Sequence, residues 1–108
     1  MISDEEIERC LDWKENNADS LGDAESNREN LRDFKKIKHA MLCLEAPQHM
    51  KMGEKEWWAS AHSEYQEVVE GYKVAVKEHT ALAKRFENAR LKIEVWRTQC
   101  SNHKSGVF

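Results

Sequence analysis

The chain has 108 residues, 34% of them charged, with a net charge of −3 and a single proline, which predicts one small hydrophilic domain over residues 1–108. It contains no run of about 18 apolar residues such as a membrane span requires, and it starts without the basic and apolar regions of a secretion signal. Three cysteines, an odd number, favour free thiols over a disulfide scaffold. We therefore expect a cytoplasmic protein with no membrane partner.

The first predicted element is a long helix over about residues 4–45. Ser3 followed by Glu6 has the spacing of a capping box, which places the helix start directly after Ser3, and Pro47 ends it. Weak helix formers leave open a break near residues 16–23. The apolar residues of this helix recur at approximate steps of three and four, and they are Ile7, Leu11, Ala18, Leu21, Leu31, Phe34, Met41 and Leu44.

Residues 46–62 are predicted to form the connection, with a loop from Pro47 to Gly53 followed by a short helical segment. This segment carries adjacent tryptophans, Trp57 and Trp58. If one indole packs against the end of the helices, the other has to point elsewhere, and an exposed tryptophan is a candidate partner-binding residue. The alternative is that both pack in the connection or in a dimer contact.

A second long helix is predicted over about residues 64–101, starting at a capping box of Ser63 and Gln66 and followed by a flexible tail over residues 102–108. Eleven residues step through it by three and four without a break, which is typical of a coiled-coil seam. They are Tyr65, Val68, Tyr72, Ala75, His79, Leu82, Phe86, Ala89, Ile93, Trp96 and Cys100.

The two long helices have nearly equal predicted lengths, so the chain should fold back at its short helical connection as an antiparallel hairpin with a coiled-coil-like seam. The predicted fold class is therefore all-α. The register that best matches apolar residues places Trp13 against Trp96 and Leu44 against Tyr65. This register also brings the acidic first helix, with ten acids and three bases in residues 1–30, towards the basic end of the second.

Two helices alone leave a flank of the seam open, because Val69, Val76, Leu91 and Val95 widen the apolar stripe. A second copy of the chain would cover this flank through a two-fold axis, giving a homodimer with four helices. A different protein is the competing partner. The predicted seam and dimer residues are Tyr65, Val68, Tyr72, His79, Leu82, Phe86, Ile93 and Trp96.

Few patterns point to chemistry. Cys100 and His103 have a C-x-x-H spacing, and the hairpin would bring Cys10 near them, but a fourth zinc ligand is missing. We therefore interpret the cysteines as small seam residues and predict no metal and no cofactor. The sequence has no P-loop, no G-x-S-x-G and no H-E-x-x-H pattern, which predicts a non-enzymatic protein without catalytic residues.

His79 is the one clearly polar residue of the predicted seam. It is a candidate for a residue that fixes the register of the two helices or for a pH-sensitive switch. The alternative is that its side chain reaches solvent at the edge of the seam.

A basic segment suggests an alternative in which the protein binds single-stranded nucleic acid. Cationic side chains would hold phosphates while tryptophans stack on bases. The candidate residues are Lys84, Arg85, Arg90, Lys92, Arg97 and Lys104. The same cations are the predicted partners of the acidic first helix, so we do not favour this alternative.

The segment Ile93-Glu94-Val95-Trp96-Arg97-Thr98-Gln99, the upstream segment Glu54-Lys55-Glu56-Trp57-Trp58-Ala59 and the opening Ile2-Ser3-Asp4-Glu5-Glu6-Ile7 resemble a family of small uncharacterised helical proteins of tailed bacteriophages and prophages. The chain departs from that family at His103, where the family tends to have a basic residue. The resemblance implies a gene near phage replication and recombination genes, and a location in the host bacterial cytoplasm.

Taken together, the sequence patterns predict a non-enzymatic protein that acts by protein–protein interaction. The resemblance implies that an unknown phage or host protein is a possible partner and that the role is accessory to phage DNA replication or recombination or to takeover of the host. Besides nucleic-acid binding, a further alternative is an inhibitor of host defence that acts through its acidic first helix. Exposure of the acidic face of residues 4–29, instead of pairing with the second helix, would favour that alternative.

Overall fold

The structure is a computed structural model that describes residues 1–104. Three helices follow one another along the chain, with α1 over Asp4–Glu45, α2 over Met52–Ala61 and α3 over Ser63–Lys104. α1 and α3 pack together in opposite directions, and the part of the chain that is described contains no strand. The predicted all-α hairpin with a short helical connection is confirmed.

α1 begins where its capping residue predicts. The Ser3 hydroxyl accepts a hydrogen bond from the Glu6 backbone N–H at 3.2 Å, satisfying one of the free donors at a helix start. The helix continues through residues 16–23 without a break. There, the Asn17 side-chain amide donates to the Trp13 carbonyl oxygen at 2.7 Å, so this weak helix former is tied to the turn before it.

The connection contains less loop than expected. α2 already begins at Met52, inside the segment Pro47–Gly53 that the sequence predicts as loop. Lys51 has the extended backbone of a residue that precedes a helix, with φ −73° and ψ 163°. The turn before it is closed by a hydrogen bond from the Met50 N–H to the Pro47 carbonyl oxygen at 3.1 Å.

The capping box predicted at Ser63 is wrong, because the preceding histidine fills the capping role. The His62 ring Nδ1 accepts a hydrogen bond from the Glu64 N–H at 3.1 Å. The Gln66 side chain instead donates to the Ser60 carbonyl oxygen at 2.6 Å. These contacts link the end of α2 to the start of α3 without an intervening loop.

α3 extends further than predicted, since residues 102–104 are helical and not part of a flexible tail. No glycine or proline precedes Gly106 in this stretch, and the basic residues of the last turn, His103 and Lys104, complement the negative end of the helix dipole. The rest of the predicted tail, residues 105–108, lies outside the described residues.

The helices form two compact units, and each contains a part of α1 and a part of α3. The terminal unit comprises Met1–Gly22 and Thr80–Phe108, and the middle unit comprises Asp23–His79. The prediction of one domain stays a prediction, and each unit is described by its own contacts.

The terminal unit has a narrow apolar core. Ile7 on α1 and Ile93 on α3 are buried, and the Trp13 and Phe86 rings meet at a centroid distance of 4.8 Å. Two hydrogen bonds join the helix ends, from the Ile2 N–H to Gln99 Oε1 at 2.9 Å and from Trp96 Nε1–H to Asp4 Oδ1 at 3.0 Å. A few large side chains therefore carry the packing of this unit.

The middle unit is built mainly on small residues. Its buried residues are Leu42, which is fully buried, and three alanines, Ala46, Ala59 and Ala75. Small side chains allow close approach of helix backbones. Contacts between α1 and α3 in this unit include the His39 and Tyr65 rings, 5.2 Å apart between centroids, and Lys35 Nζ, 4.7 Å above the Tyr72 ring. Arg28 Nη1 also lies 3.1 Å from His79 Nδ1.

The predicted seam residues of α3 lie on its less exposed face. All eleven predicted seam residues are buried or half-buried, and Tyr65, Tyr72, His79, Phe86 and Trp96 have contacts to residues of α1 or directly before it. Their predicted role in a dimer stays a prediction, because the contacts present are made within one chain.

The apolar face predicted for α1 is partly wrong. Leu11, Phe34, Met41 and Leu44 are exposed, although the sequence places them in the seam. The half-buried positions are filled instead by polar residues with long side chains, among them Lys14, Asn17, Arg28, Lys35 and Lys38. Such side chains cover apolar surface with their aliphatic stems while the charged ends remain hydrated.

The predicted pairing register is also wrong. Trp13 packs against Phe86 and not against Trp96, which lies ten positions further along α3. The last turns of α1 pack beside α2, with Cys43 Sγ 3.8 Å from the Lys55 carbonyl oxygen. α3 therefore starts its contact with α1 near His39, where Tyr65 lies.

Candidate interaction surfaces

An exposed apolar surface of the middle unit lies on α1. Four residues spaced by three, four and three positions form what we call the α1 apolar row, and they are Phe34, Ile37, Met41 and Leu44, with exposures of 46%, 55%, 49% and 88%. This spacing places them on one helix face. Sequence reasoning assigned three of them to the seam and missed Ile37, because apolar periodicity alone does not indicate which face of a helix is buried.

The two tryptophans of α2 differ in environment. Trp57 is 80% exposed, whereas Trp58 is half-buried and its ring lies 5.2 Å from that of His62. A large exposed indole is costly to leave in water and is frequent at binding hot spots. Trp57 is therefore the better candidate for partner binding, and Trp58 has a structural contact within the connection.

Five carboxylates follow one face of α1 in the terminal unit, and we call them the acidic stripe. They are spaced alternately by three and four residues, all are exposed, and they are Glu5, Glu8, Asp12, Glu15 and Asp19. The spacing places the stripe on one side of α1, away from the buried Ile7. From Glu5 to Asp19 it extends for about 21 Å.

The expected charge pairing between α1 and the basic end of α3 is limited in the terminal unit. Within residues 1–104, one ion pair joins the two helices of this unit. It is formed by Lys92 Nζ and Glu6 Oε2, which are 3.2 Å apart. Arg90 pairs within its own helix, with Glu87 at 2.6 Å and Glu94 at 2.9 Å. The acidic face of α1 consequently stays largely exposed.

The six basic residues proposed for nucleic-acid binding do not share one surface. Arg90, Arg97 and Lys104 are seven residues apart and lie on one face of α3, whereas Arg85 and Lys92 form another seven-residue pair on a different face. All six side chains, including Lys84, are exposed. The basic residues proposed for nucleic-acid binding therefore lie on different faces of α3, on two sides of the seam.

Ion pairing shifts the ionisation of three groups. The hydrogen bond from Arg90 lowers the pKa of the Glu87 carboxyl below its ordinary value, and Glu87 and Glu94 in turn raise the pKa of the Arg90 guanidinium. In the middle unit, the hydrogen bond and charge of Lys38, at 2.9 Å, lower the pKa of Glu64. These are structural ion pairs on exposed surface, where such pairs contribute little to stability.

His79 faces a cation. Arg28 Nη1 lies 3.1 Å from His79 Nδ1, and since a guanidinium only donates hydrogen bonds, this ring nitrogen acts as the acceptor. The contact links α1 to α3 in the middle unit, which agrees with a role in setting the register. A role as a pH switch stays a prediction.

The cysteines are separate in the structure. Cys10, Cys43 and Cys100 are free thiols of intermediate burial, and Cys43 Sγ lies 3.8 Å from His39 Nδ1. Within residues 1–104, no group of three or more His, Cys, Asp or Glu side chains is arranged to hold a metal ion. Cys10, Cys100 and His103 thus form no such cluster.

None of the helices described for residues 1–104 combines the length and the apolar character needed to cross a membrane. Comparisons of the chain with protein-family models, with curated proteins and with solved structures gave no match in any of the three.

Proposed function

We propose that this protein is a non-enzymatic helical hairpin that acts by protein–protein interaction, and that its first partner is a second copy of itself. The observation that carries the proposal is the α1 apolar row, four large side chains on one face that are each about half exposed or more. Exposed apolar patches of this kind mark interaction sites in soluble proteins.

The spacing of the row supports a two-fold interface. Steps of three, four and three residues are symmetric about their centre, so an antiparallel copy of α1 would place Phe34 opposite Leu44 and Ile37 opposite Met41. A two-fold axis requires this kind of self-complementary surface. A standard interface buries about 800 Å² on each partner, and the row spans only about 15 Å of helix, so we expect a dimer whose population depends on concentration.

The acidic stripe supports a second candidate function, inhibition of host defence by mimicry of nucleic-acid charge. Its five carboxylates are exposed and regularly spaced. The α1 acids that contact α3 in the terminal unit within residues 1–104, Asp4 and Glu6, lie outside the stripe. A regular row of negative charges would attract a protein with a basic nucleic-acid-binding groove.

A cytoplasmic phage or prophage setting, with a role accessory to phage DNA replication or recombination or to takeover of the host, is also part of the proposal. It is supported by the sequence resemblance alone. Binding of single-stranded nucleic acid along α3 receives less support, because Arg90 and Lys92 are engaged in ion pairs and the six cations are divided between different faces.

Light scattering of the purified protein tests the proposal. The chain has a mass of 12.7 kDa, so a dimer would give about 25 kDa, twice the chain mass, in proportions that rise with concentration. Replacing Ile37 with Glu should abolish the dimer, because a charge at the centre of an apolar interface is not compensated by a partner.

The matched control is Leu11→Glu, a similarly exposed apolar residue of α1 that lies outside the row. This variant should dimerise like the unmodified protein. A monomer at all concentrations, or equal loss of dimer in both variants, would contradict the role of the row. Adding a short single-stranded oligonucleotide at low and physiological salt should leave the mass unchanged, and a mass increase would favour nucleic-acid binding instead.

A further inference from the structure

The terminal unit contains an open groove between α1 and α3 of about 440 Å³. Its volume falls in the range of about 300–1,000 Å³ that is typical of small-molecule sites. The lining includes Cys10 and Ala89, whose small side chains leave space between the two helices. Trp13, half-buried, provides an aromatic wall.

The groove carries an excess of positive charge. Three cations line it, Arg9, Arg85 and Lys92, against a single carboxylate, Glu6. That carboxylate is already paired, with Lys92 Nζ at 3.2 Å from its Oε2. The two arginines therefore remain to attract an anionic group on a ligand.

The groove also offers a stacking position. The Arg85 guanidinium carbon lies 4.7 Å above the centre of the Trp13 ring, and Phe86 holds the same indole at 4.8 Å with its ring tilted by 53°. Arg85 is exposed, so the outer face of its planar guanidinium can stack on a further ring. Asn88, also in the lining, has an amide that both donates and accepts hydrogen bonds.

The surroundings favour a small ligand over a nucleic-acid strand. The acidic stripe lies on the same stretch of α1, and a helix with its side chains is only about 10–12 Å across, close to the Debye length of roughly 8 Å at physiological salt. Phosphates of a longer strand that follows α1 would be repelled by these carboxylates. A ligand confined to the groove keeps its charge near the arginines.

We propose that this groove binds a free mononucleotide, a planar aromatic ring that carries a phosphate, with the ring stacked on Arg85 over Trp13 and the phosphate held by Arg9. This site is independent of the α1 apolar row, which belongs to the middle unit.

Titration with adenosine 5′-monophosphate, followed by nuclear magnetic resonance of the tryptophan indole N–H groups, tests this inference. We expect the Trp13 signal to shift in a saturable manner while the Trp57 signal stays in place. Arg85→Ala should weaken binding by about tenfold or more, the effect of losing one contact to a charged group. Adenosine and inorganic phosphate, each lacking half of the ligand, should bind more weakly than the nucleotide.

The matched control is Arg90→Ala, which removes an arginine of the same helix that pairs with Glu87 and Glu94 outside the groove. It should change the affinity less than about twofold, which is under 0.5 kcal/mol. Circular dichroism verifies that both variants stay helical. An absent Trp13 shift, equal weakening by both variants, or affinity that rises steadily with the length of an added oligoadenylate would overturn the proposal.

Discussion

A few polar residues in the contact between α1 and α3 explain why apolar periodicity predicted the wrong buried face for α1. Arg28, Lys35 and Lys38 are half-buried on α1, and each meets a residue of α3, namely His79, Tyr72 and Glu64. Their aliphatic stems add contact area and their charged ends find partners. Apolar periodicity treats these residues only as charged. It therefore assigns the wrong face of α1 to the contact with α3.

The ion pair of Lys38 with Glu64 gives a pH prediction. Because the pKa of Glu64 is lowered in the folded protein from its ordinary value of 4.5, the ionised carboxylate favours folding, and its contribution is present above pH 4.5 and is lost as the pH falls through the folded-state value. Glu64→Gln should therefore slightly lower the melting temperature at neutral pH, and this difference should disappear in acid.

Thermal melts by circular dichroism between about pH 7 and pH 3 measure this effect across the titration of a carboxyl group. Glu67→Gln, which removes another exposed carboxylate of the same helix, is the matched control for the loss of one negative charge. An equal difference for Glu64→Gln at both ends of the range would contradict the prediction.

Of the three helices, α1 follows its local signals most closely. Ser3 caps α1 as its spacing predicts, whereas the box at Ser63 is replaced by the ring of His62. α1 remains helical through Gly22 despite a run of weak helix formers, since the tertiary contacts of an amphipathic face outweigh propensities of up to about 1 kcal/mol per residue.

Gly22→Ala should consequently stabilise the protein. The glycine lies in the interior of α1, and a Cβ added there meets nothing within 4 Å. Alanine is favoured over glycine in such a position by roughly 0.5–1 kcal/mol, which corresponds to a rise in melting temperature of roughly 2–8 °C for a chain of this size. Thermal unfolding measures this rise in melting temperature. A lower melting temperature would contradict the prediction and would indicate that α1 requires a break at this point.

The whole molecule brings together fewer opposite charges than its sequence suggests. Residues 1–30 carry ten acids and three bases, but the terminal unit joins α1 to α3 through the single ion pair of Glu6 with Lys92, among those found in residues 1–104. The opposite net charges of the acidic start of α1 and the basic end of α3 attract the two segments. They do not specify particular ion pairs, because exposed charges in water gain little from close contact.

This unpaired charge yields a prediction for the acidic stripe. The protein should displace duplex DNA from a purified basic nucleoid protein, an effect that weakens steeply between about 50 and 200 mM salt. The combined variant Glu8→Gln, Asp12→Asn and Glu15→Gln should lose most of this competition, measured by fluorescence anisotropy of labelled DNA.

The control neutralises three exposed carboxylates elsewhere, at Glu54, Glu56 and Glu67, and changes the net charge equally. Equal competition by the two variants would mean that net charge and not the stripe is responsible. If the unmodified protein does not compete with DNA, mimicry of nucleic-acid charge is ruled out for the nucleoid protein tested.

The sequence by itself determined the helical class, the hairpin, the extent of α1 and the buried face of α3, because local caps and an unbroken apolar repeat specify them. Only the tertiary structure decided which face of α1 is buried, that Trp13 meets Phe86, and that α2 lies beside the last turns of α1. These features depend on packing between segments distant in sequence, where long cationic side chains substitute for apolar ones. The candidate surfaces, the α1 apolar row and the Trp13 groove, follow from that packing.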